Sequence, residues 1–203
     1  MRLPADSALI VIDVQLAIDD PVWGPRNNPQ AEQAIARLLQ AWRAEALPVV
    51  HVRHDSVEPF SPYRPGTPGH QFKPEATPAA DEIVVAKTTP DAFAGTELEA
   101  HLDALGTTTL VVCGVLTHNS VESSVRAAAS LGYRVFVVAD ACWSVDVVDL
   151  AGQKWPAEAV HRLSLTHMHR EFARVVSLRA ALEAAGTAKQ RQRMRAARDG
   201  GGQ

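Results

Sequence analysis

The feature that most constrains the fold is a regular alternation of short apolar segments with longer segments of helical periodicity. The segment 8–14 is β-branched and apolar, as expected of a strand buried on both faces, and the segment 31–46 has apolar residues at helical spacing. This alternation predicts an α/β fold with a six-stranded parallel sheet and helices on both faces. The other predicted strands are 48–52, 83–86, 109–113, 134–139 and 173–177, and the other predicted helices are 96–105, 121–131, 157–170 and 179–185.

Composition excludes several classes of protein. Of the 203 residues, 46% are hydrophobic and 21% are charged, and the formal net charge is −3, so neither general disorder nor electrostatic binding to nucleic acid or a membrane is expected. Apolar runs stay below 18 residues and Asp6 interrupts the N-terminal segment, so we expect no membrane span and no secretion signal. Cys113 and Cys142 lie in apolar runs and are interpreted as reduced core thiols of a cytoplasmic protein.

We expect one folded domain over residues 1–184 and a basic, disordered tail over residues 185–203. Residues 189–203 carry five basic side chains and one acidic one, which is typical of a solvated end, with an arm for an acidic partner as the alternative. Within the domain, the segment 54–78 contains six prolines. A connection of this length and irregularity is typical of a binding loop or a subunit contact.

Polar residues follow three of the predicted strands, where open parallel sheets bind their ligands. Asp13 ends the first strand, and a buried carboxylate needs either a structural partner or a catalytic role. Lys87 ends the third strand; a lysine there commonly reaches solvent, but opposite charges at one sheet edge could neutralise each other. Ser120 precedes a predicted helix, either as its N-cap or as a nucleophile beside N–H groups that form an oxyanion hole.

Cofactor and metal motifs are not found in the sequence. Neither the glycine pattern of dinucleotide-binding proteins nor the phosphate-binding loop follows a predicted strand. His51, His54 and Asp55 cluster after the second strand, but no further ligand group has suitable spacing. We therefore expect no cofactor and no metal.

Several ordered motifs resemble the isochorismatase-like hydrolases, which are also called the cysteine hydrolase or nicotinamidase-like family. The segments are ALIVIDVQ at 8–15, VVAK at 84–87 with FAGTEL at 93–98, and VVCGVLTHNSVESSVR at 111–126. DACW at 140–143 and EFARV at 171–175 are also similar to the family. The resemblance covers roughly residues 7–178 and implies a three-layer Rossmann-like fold that usually forms a homodimer or homotetramer.

The resemblance also implies a site. The family uses a triad of Asp, Lys and Cys, with Asp13 and Lys87 in the first two places; the thiolate attacks an amide or carbamoyl carbon while the aspartate transfers the proton. A cis peptide maps to Val115–Leu116, and the N–H groups of Leu116 and Ser120 would form the oxyanion hole. The family's nicotinamidases hold a metal with an Asp and two His residues, an arrangement that this sequence lacks.

The sequence departs from the family at the nucleophile, because Ser120 stands where the family has cysteine. A serine hydroxyl is far harder to deprotonate than a thiol. Three explanations remain open: a true serine nucleophile, an engineered replacement of cysteine, or a branch without a nucleophile, like the isochorismatases, in which an aspartate protonates a vinyl ether.

We predict a hydrolase that acts on a small, planar or cyclic metabolite through Asp13 and Lys87, with Ser120 at the nucleophile position. The alternatives are an amidohydrolase whose cysteine is replaced by Ser120, and a weakly active oligomer that binds a small molecule. Partners are the substrate and further copies of the chain, not nucleic acid or a membrane. The side chains predicted to contact substrate are Gln15, Trp23, Phe93, His118, Asn119 and Trp143.

Overall fold

The computed structural model describes residues 3–188 except residue 5, and it confirms the predicted parallel sheet. The strand order in that sheet is β3-β2-β1-β4-β5-β8, with every neighbouring pair parallel. A separate antiparallel hairpin is formed by β6 and β7. The strands are β1 (Ala8–Ile12), β2 (Val49–His54), β3 (Ile83–Lys87), β4 (Thr109–Val115), β5 (Arg134–Trp143), β6 (Val147–Val148), β7 (Lys154–Trp155) and β8 (Arg174–Val176).

Helices cover the sheet in two groups. Every residue of β1 and β4 is buried, as expected for central strands of a sheet that is covered on both faces. One group contains α1 and α5, which pack against each other, and the other contains α3 and α4. The helices are α1 (Ala31–Ala44), α2 (Leu98–Ala104), α3 (Glu122–Ser130), α4 (Ala157–Met168) and α5 (Leu178–Ala185).

The strand order locates the ligand edge of the sheet. From β1 the chain moves outward through β2 and β3, and it then returns to place β4 on the other side of β1. The order therefore reverses between β1 and β4, and a crevice opens beyond the carboxyl ends of strands at such a reversal. Asp13 directly follows β1, and the segment 116–121 directly follows β4, so both lie at this point.

The largest differences from the sequence prediction are in β5 and in the hairpin of β6 and β7. The strand β5 continues to Trp143 rather than ending at Ala139, because β4 runs to Val115 and keeps pairing with it, Val115 opposite Trp143. The hairpin of β6 and β7 was not predicted, since strands of two residues are too short for a periodic pattern.

The predicted boundary between the folded domain and the tail falls at Ala185. Ala185, the first residue of the expected tail, is buried as the last residue of α5, and residues 189–203 lie outside the described part of the chain.

Cys113 and Cys142 are buried and free. Among the described helices, none combines the length and the apolar character needed to cross a bilayer.

Candidate active site

Asp13 occupies the turn where β1 ends. Its backbone N–H donates to the carbonyl oxygen of Val52 at 2.9 Å, which continues the ladder with β2 by one residue. Its φ of 55° lies in the left-handed region, which aspartate tolerates better than most residues. The Asp13 side chain is only 6% exposed. The fold thus holds a carboxyl group almost out of water at the point where the strand order reverses.

Lys87 reaches this carboxyl group from β3, two strands away. Its side chain is fully buried, and Nζ lies 2.7 Å from Oδ2 of Asp13. The same ammonium donates to the carbonyl oxygen of Thr89 at 3.0 Å and lies 3.5 Å from Nδ1 of His54. The predicted neutralisation of two opposite charges at one sheet edge is confirmed, and the interpretation of Lys87 as a solvent-exposed lysine is wrong.

Ser120 lies in the connection from β4 to α3. The peptide bond Val115–Leu116 is cis, as the resemblance implied, and residues Thr117–Val121 form a π-helical turn. Ser120 is buried, and its Oγ accepts a 3.3 Å hydrogen bond from Nζ of Lys87. The N-cap position of α3 belongs to Val121, so the interpretation of Ser120 as a helix cap is wrong. Sequence periodicity missed the π-helical turn, which delays the start of the helix.

Gly114 allows β4 to approach β1 closely just before the cis peptide. A Cβ atom at this position would lie 2.1 Å from the carbonyl oxygen of Ile12, and its φ of 124° lies in a region that side chains disfavour. The pairing of β4 with β5 also shifts register between Val112 and Gly114. Glycine here therefore sets the path of the chain toward Ser120.

The electrostatics of the site centre on Asp13. Burial raises the pKa of the Asp13 carboxyl group, and the Lys87 ammonium and the Ser120 hydroxyl oppose this increase without cancelling it. Oδ1 of Asp13 has no hydrogen-bond partner among the described residues, although it is buried. One oxygen of the carboxyl group is therefore anchored by Lys87, and the other is buried without a hydrogen bond to the described residues.

His54 and Tyr63 stand beside this pair. Burial, helped by the Lys87 charge, lowers the pKa of His54 to about 4, so its imidazole is neutral near pH 7. The rings of His54 and Tyr63 meet edge to face with centroids 5.7 Å apart. The Tyr63 hydroxyl donates to the carbonyl oxygen of Asp13 at 3.3 Å, and burial raises the pKa of Tyr63 well above its usual 10. Both side chains are therefore uncharged near pH 7 and lie beside the Asp13–Lys87 pair.

A cavity of about 410 Å³ opens above Asp13 and Ser120. Of the side chains predicted for the site, Asp13, Trp23, Leu116, Asn119 and Ser120 line it. The proline-rich segment 54–78 supplies a large part of the remaining wall, which supports its interpretation as a binding loop. Lining residues that the sequence analysis did not assign to the site are Ile18, His54, Ser56, Val57, Glu58, Ser61, Tyr63, Thr88, Pro90 and Val115.

Two predicted contact residues lie behind the cavity wall. Gln15 is fully buried, and its Nε2 donates to the carbonyl oxygens of His54 at 3.1 Å and His70 at 2.9 Å. Its Oε1 accepts from the backbone N–H of His54 at 2.8 Å. Trp143 is also fully buried, with the Arg26 guanidinium 3.9 Å from its ring centroid. Neither side chain lines the cavity, because both are committed to packing and to backbone hydrogen bonds.

Two further predicted residues face other surroundings. The ring of Phe93 packs on Tyr133 with centroids 5.9 Å apart. Nδ1 of His118 lies 2.9 Å from Oγ of Ser144, and His118 lines a different groove, beside Trp155 and Leu163. The π-helical turn therefore directs His118 away from the cavity that Asn119 and Ser120 line, a separation that the sequence did not reveal.

Within the described residues, no three His, Cys, Asp or Glu side chains are grouped so that they could hold a metal ion. The three potential ligands at the end of β2 have separate partners instead. Asp55 accepts from Nε of Arg53 at 2.8 Å and lies 2.7 Å from Nε2 of His70. Nε2 of His51 lies 2.9 Å from Oε2 of Glu82, and Nδ1 of His54 lies 3.5 Å from Nζ of Lys87.

Comparison with known proteins assigns the family. A family model described as the isochorismatase domain matches residues 7–180. The chain belongs to the isochorismatase family. Members of this family are hydrolases, and the chain is accordingly an isochorismatase-family hydrolase.

Individual relatives agree with this assignment. A crystal structure of a member of the isochorismatase family from Chromobacterium violaceum is 52% identical, has a TM-score of 0.89, and matches over 92% of this chain and 97% of that one. The isochorismatase-family protein YrdC of Bacillus subtilis is 34% identical, over 84% of this chain and 91% of its own length. A streptothricin hydrolase of Streptomyces noursei is 40% identical over 69% of this chain, which spans 50% of that longer protein.

Proposed function

We propose that this isochorismatase-family hydrolase cleaves a small, planar or cyclic metabolite and uses Asp13 to transfer the proton. The observation that carries the proposal is the asymmetry of the Asp13 carboxyl group. Lys87 holds Oδ2, while Oδ1 is buried and has no partner among the described residues. A buried polar atom without a partner costs free energy, so a hydrogen bond from Oδ1 to the substrate explains why it is retained.

The raised pKa of Asp13 suits a general acid, since burial keeps more of the carboxyl group protonated. In the proposed reaction this proton moves from Asp13 to the leaving group of the substrate. The bond between the leaving group and the reacting carbon breaks at the same time. A water molecule adds to that carbon and returns one proton to Asp13. The Lys87 ammonium stabilises the carboxylate between the two transfers. Water is consumed, and the enzyme regains its starting protonation state.

In this proposal Ser120 positions the substrate and does not attack it. Its hydroxyl oxygen already accepts a hydrogen bond from Lys87, and the adjacent carboxyl group is a weak base. Leu116 and Ser120 both line the cavity. We assign their backbone N–H groups to an oxyanion hole that binds the oxygen on which negative charge develops.

A second candidate is an amidohydrolase in which serine replaces the nucleophilic cysteine. The observation in its favour is the distance of 3.3 Å between Oγ of Ser120 and Nζ of Lys87, because an ammonium at this distance would stabilise a thiolate. The similarity to a streptothricin hydrolase supports the same chemistry.

The test compares the native protein with the Asp13→Asn and Ser120→Cys variants. Ammonia release is followed over a panel of amides and carbamoyl compounds, and cleavage of isochorismate is followed as the vinyl ether reaction. We expect native turnover that Asp13→Asn abolishes. Because asparagine keeps an oxygen for Lys87 but not the negative charge, the melting temperature should fall, and circular dichroism checks that the variant is folded under assay conditions. Asp103→Asn, on the exposed face of α2, is the matched control.

Each outcome decides between the candidates. Turnover that survives Asp13→Asn would remove the assigned role of Asp13. Ammonia release that appears only with Ser120→Cys would favour the amidohydrolase with a replaced nucleophile. Tight ligand binding without turnover in either protein would favour the binding role.

The expected homodimer or homotetramer stays a prediction. Sedimentation equilibrium of the full chain would test it directly, and a monomer would contradict it.

A further inference from the structure

The charges around the cavity restrict what the cavity can hold. Among the described residues that line it, the formally charged side chains are Asp13 and Glu58, and none is arginine or lysine. Lys87 lies behind Asp13, fully buried and paired with it at 2.7 Å. Ionised Asp13 and Lys87 offset each other, so Glu58 is the charged lining residue without an ion-pair partner among the described residues, and no arginine or lysine side chain lines the cavity there.

The arginine and lysine residues of the surrounding segments do not line the cavity. Arg53 pairs with Asp55 at 2.8 Å, and Lys73 pairs with Asp19 at 2.6 Å. Arg64, in the same segment as Glu58, donates to the carbonyl oxygen of Pro59 at 3.2 Å and does not line the cavity. His54, which does line it, is uncharged near pH 7 because burial lowers its pKa to about 4.

A carboxylate or phosphate group would lose its hydration in this cavity without gaining a cation. Sites that bind such groups supply arginine, lysine or several N–H donors. The proposed oxyanion hole offers two backbone N–H groups, which suit a carbonyl oxygen on which charge develops but not a permanent anion as well. Trp23 and Tyr63 line the cavity, and aromatic side chains offer no positive charge to an anion.

We infer that the cavity selects neutral or cationic ring compounds over anionic ones, and that Glu58 at its mouth is a specificity-determining residue. This inference rests on the proposed function for the location of the substrate. Glu58 is exposed, so its effect on affinity is modest and depends on salt. The exclusion of anions comes mainly from the lack of an arginine or lysine among the described residues that line the cavity, and Glu58 adds the preference for positive charge.

The experiment uses three probes of the same shape and different charge: benzamide, benzamidine and benzoate. Their binding to the full chain is measured by calorimetry near pH 7, at low and at physiological ionic strength. We expect benzamide and benzamidine to bind at least about tenfold more tightly than benzoate, a factor that corresponds to 1.4 kcal/mol. We also expect the advantage of benzamidine over benzamide to shrink as salt is added.

Charge reversal at the mouth tests Glu58 itself. Glu58→Lys should change the ratio of benzoate to benzamidine affinity by about threefold or more in favour of benzoate, and Glu58→Gln by less. Glu97→Gln, an exposed glutamate at the start of α2 that does not line the cavity, is the matched control and should change nothing.

Two results would overturn the inference. One is benzoate binding as tightly as the other two probes, and the other is no binding of benzamide or benzamidine at millimolar concentration. Binding needs no turnover, so the selectivity can be confirmed even if the Asp13→Asn comparison disproves the assigned chemistry. Turnover that depends on Asp13, combined with a preference for benzoate, would disprove the selectivity alone.

Discussion

Lys87 donates a 2.7 Å hydrogen bond to one carboxylate oxygen of Asp13 and leaves the other oxygen without a partner among the described residues. The two side chains come from strands that are not neighbours, with β2 between them. Their pairing therefore needs the end of β2 to be in register with β3, His54 opposite Lys87. The geometry of the reactive carboxyl group is thus set by three strands at once.

Replacement of Lys87 by glutamine should raise the pKa of Asp13, because the ammonium is the main group that opposes the effect of burial. A general acid loses activity as pH rises through its pKa, so that limb of the pH–rate profile should move to higher pH. Turnover at neutral pH should fall by about 10²-fold or more, since the carboxylate that forms is no longer stabilised. Lys154→Gln, an exposed lysine paired with Asp146, serves as the control. An unchanged pH limb would contradict the coupling.

Gln15→Leu should weaken both stability and substrate binding. The substitution leaves the N–H and carbonyl groups of His54 and the carbonyl group of His70 without their buried partner. Each unsatisfied group costs about 1–3 kcal/mol, so the free energy of unfolding should fall by at least about 2 kcal/mol. Because His54 is part of the cavity wall, KM should rise more than kcat falls. Chemical denaturation and steady-state kinetics measure the two effects, and a variant that changes neither would show that the three bonds are dispensable.

Gly114→Ala should destabilise the protein by about 2 kcal/mol or more, since the added methyl group would collide with the backbone of Ile12. Gly186→Ala is the matched control: its φ of −61° is helical, and the nearest atom to the new Cβ is 3.7 Å away. That variant should change the free energy of unfolding by less than about 1 kcal/mol. Equal effects of the two substitutions in urea denaturation would argue against the close approach of β4 to β1.

His54 should make the protein less stable as pH falls from about 6.5 to about 4. Burial, with the Lys87 charge, lowers the pKa of folded His54 to about 4, whereas the unfolded chain has an ordinary histidine. Between these values the unfolded state binds more protons, so the free energy of unfolding decreases as pH falls. His54→Gln removes this contribution and should flatten the dependence by up to one proton. The control is His167→Gln, at an exposed histidine, which should not change the slope of the unfolding free energy against pH. The same slope in the native protein and in both variants would contradict the prediction.

Much of the sheet could be predicted from the sequence, because buried parallel strands are continuous apolar runs. The same principle located the floor of the site: Asp13 and Lys87 are charges that interrupt or end such runs, and strand ends converge at one edge. The packing of distant strands brings these two residues together, yet each can be recognised in the sequence from its own neighbours.

The residues that line the cavity wall could be predicted less well from the sequence. Six prolines marked the segment 54–78 as irregular, but no periodicity indicates which side chains of an irregular segment face inward. The directions of His118 and Asn119 depend on a π-helical turn, which has no recognisable sequence pattern. Gln15 was predicted to contact substrate, whereas in the structure its side-chain amide bonds only to backbone groups.

The floor and the wall of the cavity come from different kinds of structure. Asp13 and Ser120 follow the central strands β1 and β4, and Lys87 is a fully buried residue of the edge strand β3, so changes to these elements would damage the core. Val57 and Glu58 instead belong to an exposed loop, and Val57 is 70% exposed. Substitutions in residues 56–63 can therefore alter the shape and charge of the cavity at little cost to the folded core, whereas substitutions in the strands beneath them cannot.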